Sequence, residues 1–179
     1  MADLIPVTAA RDLLGAPMLQ YRWELVIPDP PAVVLPFVLD FSLRARSTVI
    51  PGVEIESVKS KWGPFEFNIP IAKKYSQSFP VKFEEGYKFP VLPAIWAWSE
   101  AVFSETSGYG LRTDELLANI WLRLLGPGGR SLSTVESYHL YNAFPLQHSD
   151  SPVAYESAGQ VMLDVVFAYD YWRFEPWPF

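Results

Sequence analysis

Val161-Met-Leu-Asp-Val-Val-Phe-Ala-Tyr-Asp-Tyr-Trp-Arg-Phe174 is the stretch that decides the fold of this 179-residue chain. Val161, Leu163, Val165, Phe167, Tyr169 and Tyr171 recur at every second position, against a mixed face that carries Asp164 and Asp170. Period two with one apolar side is the mark of a strand that lies over a core. The whole stretch is predicted as one strand, well beyond the usual length of about five or six residues.

Two similar stretches precede it. Leu116, Ala118, Ile120, Leu122 and Leu124 alternate with Glu115, Asn119 and Arg123 and stop at Gly126-Pro-Gly-Gly, a turn signal. The next runs from Thr134 to Phe144 and stops at Pro145. Working towards the N-terminus, Phe79, Val81, Phe83 and Glu85 define a strand, and Tyr21, Trp23, Leu25 and Ile27 define another that ends at Pro28-Asp-Pro-Pro. Phe37 to Ser47 is predicted as a less regular strand closed by Val49-Ile-Pro-Gly. Val53 to Lys61 alternates, but reads as polar on both faces, and Trp62-Gly-Pro turns it into Phe65, Phe67 and Ile69, so 53–69 is predicted as a hairpin.

One segment breaks the pattern. From Phe89 to Phe103, Leu92, Ile95, Trp96, Ser99, Val102 and Phe103 recur at the spacing of a helix face, with Pro90 and Pro93 near the start, where a missing N–H costs least. The expected fold is mainly β (α+β): an antiparallel β-barrel or sandwich with one packed α-helix. The expected organisation is an N-terminal arm over 1–20, with a short helix from Thr8 to Gly15, a single domain over 21–174, and a C-terminal tail over 175–179.

Composition narrows function. Half of the residues are hydrophobic and 19% are charged, so the chain is globular rather than disordered. No apolar run approaches the ~20 residues of a membrane helix, and the opening lacks the basic start and apolar run of a secretory address. The absence of cysteine excludes disulfides, thiolate metal sites and cysteine nucleophiles. A net charge of −6 supplies no basic patch for nucleic acid. Aromatics at 16% and seven tryptophans suit either a Trp-rich core or surfaces buried by assembly.

The chemistry-bearing residues do not assemble into a catalytic set. His139 and His148 lack a third ligand at helical or hairpin spacing. His148, Ser149 and Asp150 are neighbours that cannot converge on one substrate, and no Gly-x-Ser-x-Gly elbow exists. Gly126-Pro-Gly-Gly lacks the Lys-Ser/Thr of a phosphate loop. Glu84/Glu85 and Asp114/Glu115 are adjacent, point to opposite faces of a strand, and read as solvated edge charges. Trp62, Phe65 and Phe67 have no interleaved cations to pair base stacking with phosphate contacts. A non-enzymatic role without cofactor or metal is expected.

The order of segments resembles the tail tube proteins of contractile-tailed phages and related injection systems. The resemblance is carried by the aromatic strand from Tyr21 to Ile27, by Leu43-Arg-Ala-Arg-Ser with Pro51-Gly-Val-Glu-Ile-Glu-Ser-Val58, and by Ala94-Ile-Trp-Ala-Trp98. Tyr141-Asn-Ala-Phe-Pro-Leu-Gln147 and Phe167-Ala-Tyr-Asp-Tyr-Trp-Arg173 complete it over about residues 20–174. The resemblance implies a structural virion protein whose copies form hexameric rings, stacked into the inner tube of a contractile tail and passing DNA without binding it specifically. It further implies sheath, baseplate and tail-terminator proteins as partners, and a place in the virion tail after assembly in the host cytoplasm. A baseplate protein that starts the tube shares the fold, and the Pro-rich insert from Pro28 to Pro36 and the Phe174-Glu-Pro-Trp-Pro-Phe end keep that alternative open. An alternative of another class is a monomeric ligand-binding β-barrel.

The residues suit a ring on their own terms, because open sheet edges can be completed by a neighbouring copy. Six copies at −6 each carry −36, a sign that lets DNA slide through a lumen. The 53–69 hairpin is the candidate ring-to-ring contact, with Glu54, Glu56, Lys59, Lys61, Trp62, Phe65 and Phe67 as its residues.

Overall fold

The computed structural model describes residues 23–86, 90–104, 108–110, 115–125, 136–149 and 160–176. The predicted arm over 1–20, Tyr21, and the Gly126-Pro-Gly-Gly turn lie outside them. In chain order the elements are β1 (Trp23–Val26), a 3-10 turn (Leu35–Phe37), α1 (Val38–Arg44), β2 (Ala45–Thr48), β3 (Val53–Trp62), β4 (Phe65–Tyr75) and β5 (Ser78–Glu84). Then come α2 (Val91–Val102), the short pair β6 (Phe103–Ser104) and β7 (Tyr109–Gly110), and β8 (Ala118–Leu124), β9 (Glu136–His148), β10 (Met162–Ala168) and β11 (Tyr171–Pro176).

Alternation in the sequence becomes burial in the sheet. Phe79, Val81 and Phe83 on β5, Ala118, Ile120 and Leu122 on β8, and Leu163, Val165 and Phe167 on β10 are all buried, while the residues between them face outward. The strands run antiparallel in the order β1-β8-β9-β10-β5-β2, with β11 also paired to β9. Among the described residues the sheet does not close, since β1 and β2 end the order without pairing to each other. The mainly β, antiparallel architecture with a packed helix is the one expected, and β11 runs to Pro176, past the expected domain limit at 174.

Three local expectations are corrected. Residues 37–47 are not one strand but α1 followed by β2. The residue that decides this is Phe41, a buried side chain of α1, with Phe37 just before the helix and Ala45 just after it packed against the same core. Phe41 is fully buried and meets Phe83 edge to face at 5.5 Å.

The closing stretch, 161–174, is two strands, and β9 does not stop at Pro145. One corner explains both. Residues 136–141 of β9 pair with β11, whereas 144–148 pair with β10. Between these halves Asn142 takes a φ of +57°, a left-handed conformation that asparagine tolerates better than most residues. Its Nδ2 donates to Asp170 Oδ2 at 2.8 Å, and the Asp170 N–H donates to the Tyr141 carbonyl at 3.0 Å, so both strands turn together. Pro145 is admitted because it lies where the register with β10 shifts, and a bulge does not need its missing donor.

The third correction concerns α2. Its buried face is Val91, Ala94, Ile95 and Trp98, not the stripe through Leu92, Trp96 and Phe103. Both stripes have helical spacing. The choice falls to Trp98, which packs on Phe167 at 5.9 Å and donates its indole N–H to the Leu116 carbonyl at 2.7 Å. Leu92, Trp96 and Phe103 are left exposed.

Candidate assembly surface

β3 and β4 form a two-stranded hairpin that belongs to neither end of the main sheet. Its tip is the two-residue loop Gly63-Pro64, with Gly63 at φ +64°. A positive φ at the first loop position followed by a negative one is the II′ pattern that matches strand twist, so glycine and then proline fit the two positions. The register follows from the tip: Trp62 opposes Phe65, Ser60 opposes Phe67, and Val58 opposes Ile69.

Glu56 opposes Ala72 and Ser57 opposes Pro70, so Ile71 is the extra residue of a bulge in β4, and β3 alternates without a break. Val58, Ser60 and Trp62 share a face with Phe65, Phe67 and Ile69, and beyond the bulge Glu54 and Glu56 follow on that face, with Lys74 3.2 Å from Glu56. Val53, Ile55, Ser57, Lys59 and Lys61 lie on the other, with Lys59 3.7 Å from Glu66. The strand thus carries polar side chains on both faces, as its sequence suggests, and the apolar stretch is confined to one face of the tip half of the hairpin.

Eight apolar side chains of the hairpin are exposed, from 44% at Ile69 to 83% at Trp62, and five of them, Val58, Trp62, Phe65, Phe67 and Ile69, share the tip face. At about 200 Å² per ring, Trp62, Phe65 and Phe67 alone present roughly 400 Å², a patch of the size that marks an interaction surface. Among the described residues, the root of the hairpin is what ties it to the body. Trp172 donates its indole N–H to the Gly52 carbonyl at 3.1 Å and meets Tyr75 edge to face at 6.2 Å, and the hydroxyls of Ser76 and Tyr169 lie 2.7 Å apart.

Of the predicted contact residues, the structure brings Trp62, Phe65 and Phe67 together at the tip, sets Glu54 and Glu56 further along the same face, and sets Lys59 and Lys61 on the reverse. Val58 and Ile69, which complete the apolar tip face, were missed. Their signal lay in the sequence, since stepping by two outward from Gly63-Pro64 along both arms reaches them.

The titratable groups are occupied structurally. His139 is buried on β9, 2.8 Å from the Ser137 hydroxyl and stacked on Trp121 at 4.7 Å, whereas His148 is exposed near the far end of the strand. Glu85 is not the solvated edge charge expected from sequence. It is buried, and its carboxylate accepts the N–H groups of Leu92 at 2.6 Å and Val91 at 3.4 Å, capping the positive end of α2. Glu84 pairs with Arg46. Among the described residues no three His, Cys, Asp or Glu side chains cluster as a metal site, and no helix is long and apolar enough to cross a membrane.

No family model matches the sequence, and no curated protein matches it. Solved structures do match in fold. A chain of the anti-feeding prophage cap, described as its tube-terminating cap, superposes with a TM-score of 0.64 at 16% identity, covering 98% of this chain and 97% of that one. A chain from the sheath/tube terminator of the extracellular contractile injection system PVC gives 0.65 at 13% identity, over 90% and 99%. A chain from the sheath-tube complex of PVC gives 0.63 at 11%, over 96% and 99%. The fold is thus contractile-tail-tube-like, as the segment order suggested.

Proposed function

We propose that this chain is a structural, non-enzymatic subunit of the inner tube of a contractile tail or injection apparatus. Six copies close a ring, and rings stack through the β3–β4 hairpin. The observation that carries the reading is the exposed apolar tip face of the hairpin, Val58, Trp62, Phe65, Phe67 and Ile69, which none of the described residues covers. An exposed apolar patch of that kind marks an interaction surface, and self-assembly supplies a partner at every copy.

Among the described residues the outer margin of β11 pairs with no strand and serves lateral joining, because an unpaired strand edge offers backbone N–H and C=O groups that a neighbouring edge completes. A ring of −36 then repels the DNA that passes through its lumen, and nothing in the chain binds it specifically. Sheath, baseplate and terminator proteins are the partners this role requires, in a tail assembled in the host cytoplasm.

Negative-stain electron microscopy of the purified protein at rising concentration tests the proposal, with stacked rings as the expected result. A chain that stays monomeric by sedimentation at high concentration overturns it in favour of a ligand-binding barrel. Matching folds occur in the anti-feeding prophage cap and baseplate structures, which supports a second reading, a protein at one end of the tube. Rings that form but never stack assign it to that end position, as terminator or as the initiator at the baseplate.

A further inference from the structure

The open seam of the sheet holds a slot of about 1170 Å³ between β1 and β2, lined by Trp23, Leu43, Ala45, Ile50, Leu122 and Leu124. Leu122 is a core residue at 1% exposure, so the slot reaches the wall of the core. Leu43 and Ile50 stand at 71% and 53% exposure, apolar groups left in water in the single chain. The volume exceeds the ~300–1,000 Å³ typical of pockets that enclose small molecules and is ample for a pair of aromatic rings.

We infer that this slot is the receptor for the hairpin tip of a second copy of the chain, with the Trp62 and Phe65 rings as the plug. The inference rests on the tube reading above and names the surface that the hairpin meets. Three observations select that occupant. Among the described residues the tip is the most exposed apolar group, Trp62 at 83% and Phe65 at 74%.

Reach excludes the chain's own tip. β3 is ten residues long and extends about 33 Å from its root. Ile50, which lines the slot, lies only three residues before that root, within about 11 Å of it. A hairpin therefore points away from its own slot and towards that of a displaced copy.

Charge supports the same pairing. Residues 53–75 hold four lysines and three glutamates, a balance of +1, on a chain of −6, which leaves −7 on the remainder. The hairpin of one copy is thus attracted to the body of another. Plug and receptor are different patches of one surface, so the contact is head-to-tail and propagates as a stack rather than closing as a dimer.

The chain has no cysteine, which makes cross-linking a direct test. Pro64→Cys places one thiol at the tip and Ser47→Cys another at the slot. Mixed in equal amounts under mild oxidation, the two variants are expected to give the 64–47 disulfide in excess over both homodimers, and the double variant a ladder of oligomers. Stacks visible by microscopy without enrichment of the 64–47 link overturn the slot while leaving the tube reading intact. An unmodified protein that makes no stacks at all sinks both. As a second arm, Leu43→Glu is expected to keep the thermal midpoint and raise the concentration needed for stacking at least tenfold. An unchanged stacking concentration in a folded variant also overturns the inference.

Discussion

Truncating the hairpin tip separates assembly from folding. Trp62 and Phe65 are 83% and 74% exposed, so at about 200 Å² per ring a neighbour has roughly 165 and 150 Å² left to cover. At about 25 cal/mol per Å² this is about 4 kcal/mol per ring before costs. Alanine keeps part of that area, and ordering each side chain takes about 0.5–1.5 kcal/mol, so Trp62→Ala or Phe65→Ala is expected to weaken each contact by about 2–3 kcal/mol. With tenfold for every 1.4 kcal/mol, the concentration required for stacking rises by about 30- to 150-fold for either single variant. The same substitutions remove nothing packed within the chain, so the denaturation midpoint of the unassembled protein stays within about 0.5 kcal/mol of the parent. Pelleting across a concentration series measures the first quantity and urea titration the second, with Lys59→Ala on the reverse face as a control that changes neither by much. Full stacking at the parental concentration would falsify the assignment. So would a loss of more than about 2 kcal/mol in the titration, which would mean that the rings pack on their own chain.

Substitutions at four further positions test the rest of the fold. Trp98→Ala removes the largest fully buried side chain and orphans the Leu116 carbonyl, and is expected to cost about 3–5 kcal/mol by urea titration. Glu85→Ala uncovers the first N–H groups of α2 and is expected to cost about 1–2 kcal/mol, seen as lost stability with unchanged assembly per folded molecule. At the sheet corner Asn142→Ala loses the bond to Asp170 and retains a positive φ, so a loss of about 2 kcal/mol is expected, with Asn142→Gly milder because glycine accepts that φ freely. Gly63→Ala meets no atom within 4 Å but strains a φ of +64°, a cost of about 1–2 kcal/mol that should appear as weakened stacking, with the core's urea midpoint unmoved.

How much of this was legible depended on whether a local period ran uninterrupted. β5, β8 and β10 could be read with their buried faces because Phe79 to Phe83, Ala118 to Leu122 and Leu163 to Phe167 alternate without a break. The hairpin's existence was equally plain from Trp62-Gly-Pro, a turn that forces its flanking strands together. The bulge at Ile71 was not legible, because it depends on how β4 pairs with β3 and leaves no mark in the local period.

Alone, the sequence determined the class of fold, the antiparallel sense of its long strands, the helix after β5 and the aromatic tip of the hairpin, since each rests on local periods and turns. Tertiary structure decided the rest, the strand order included. Residues 38–44 became α1 because Phe41 had Phe83 to meet, α2 chose its Trp98 face because the Leu116 carbonyl stood waiting, and β9 turned at Asn142 because Asp170 was there to hold it. Those partners are distant along the chain, and no period in a window of residues encodes a contact whose other half lies outside it.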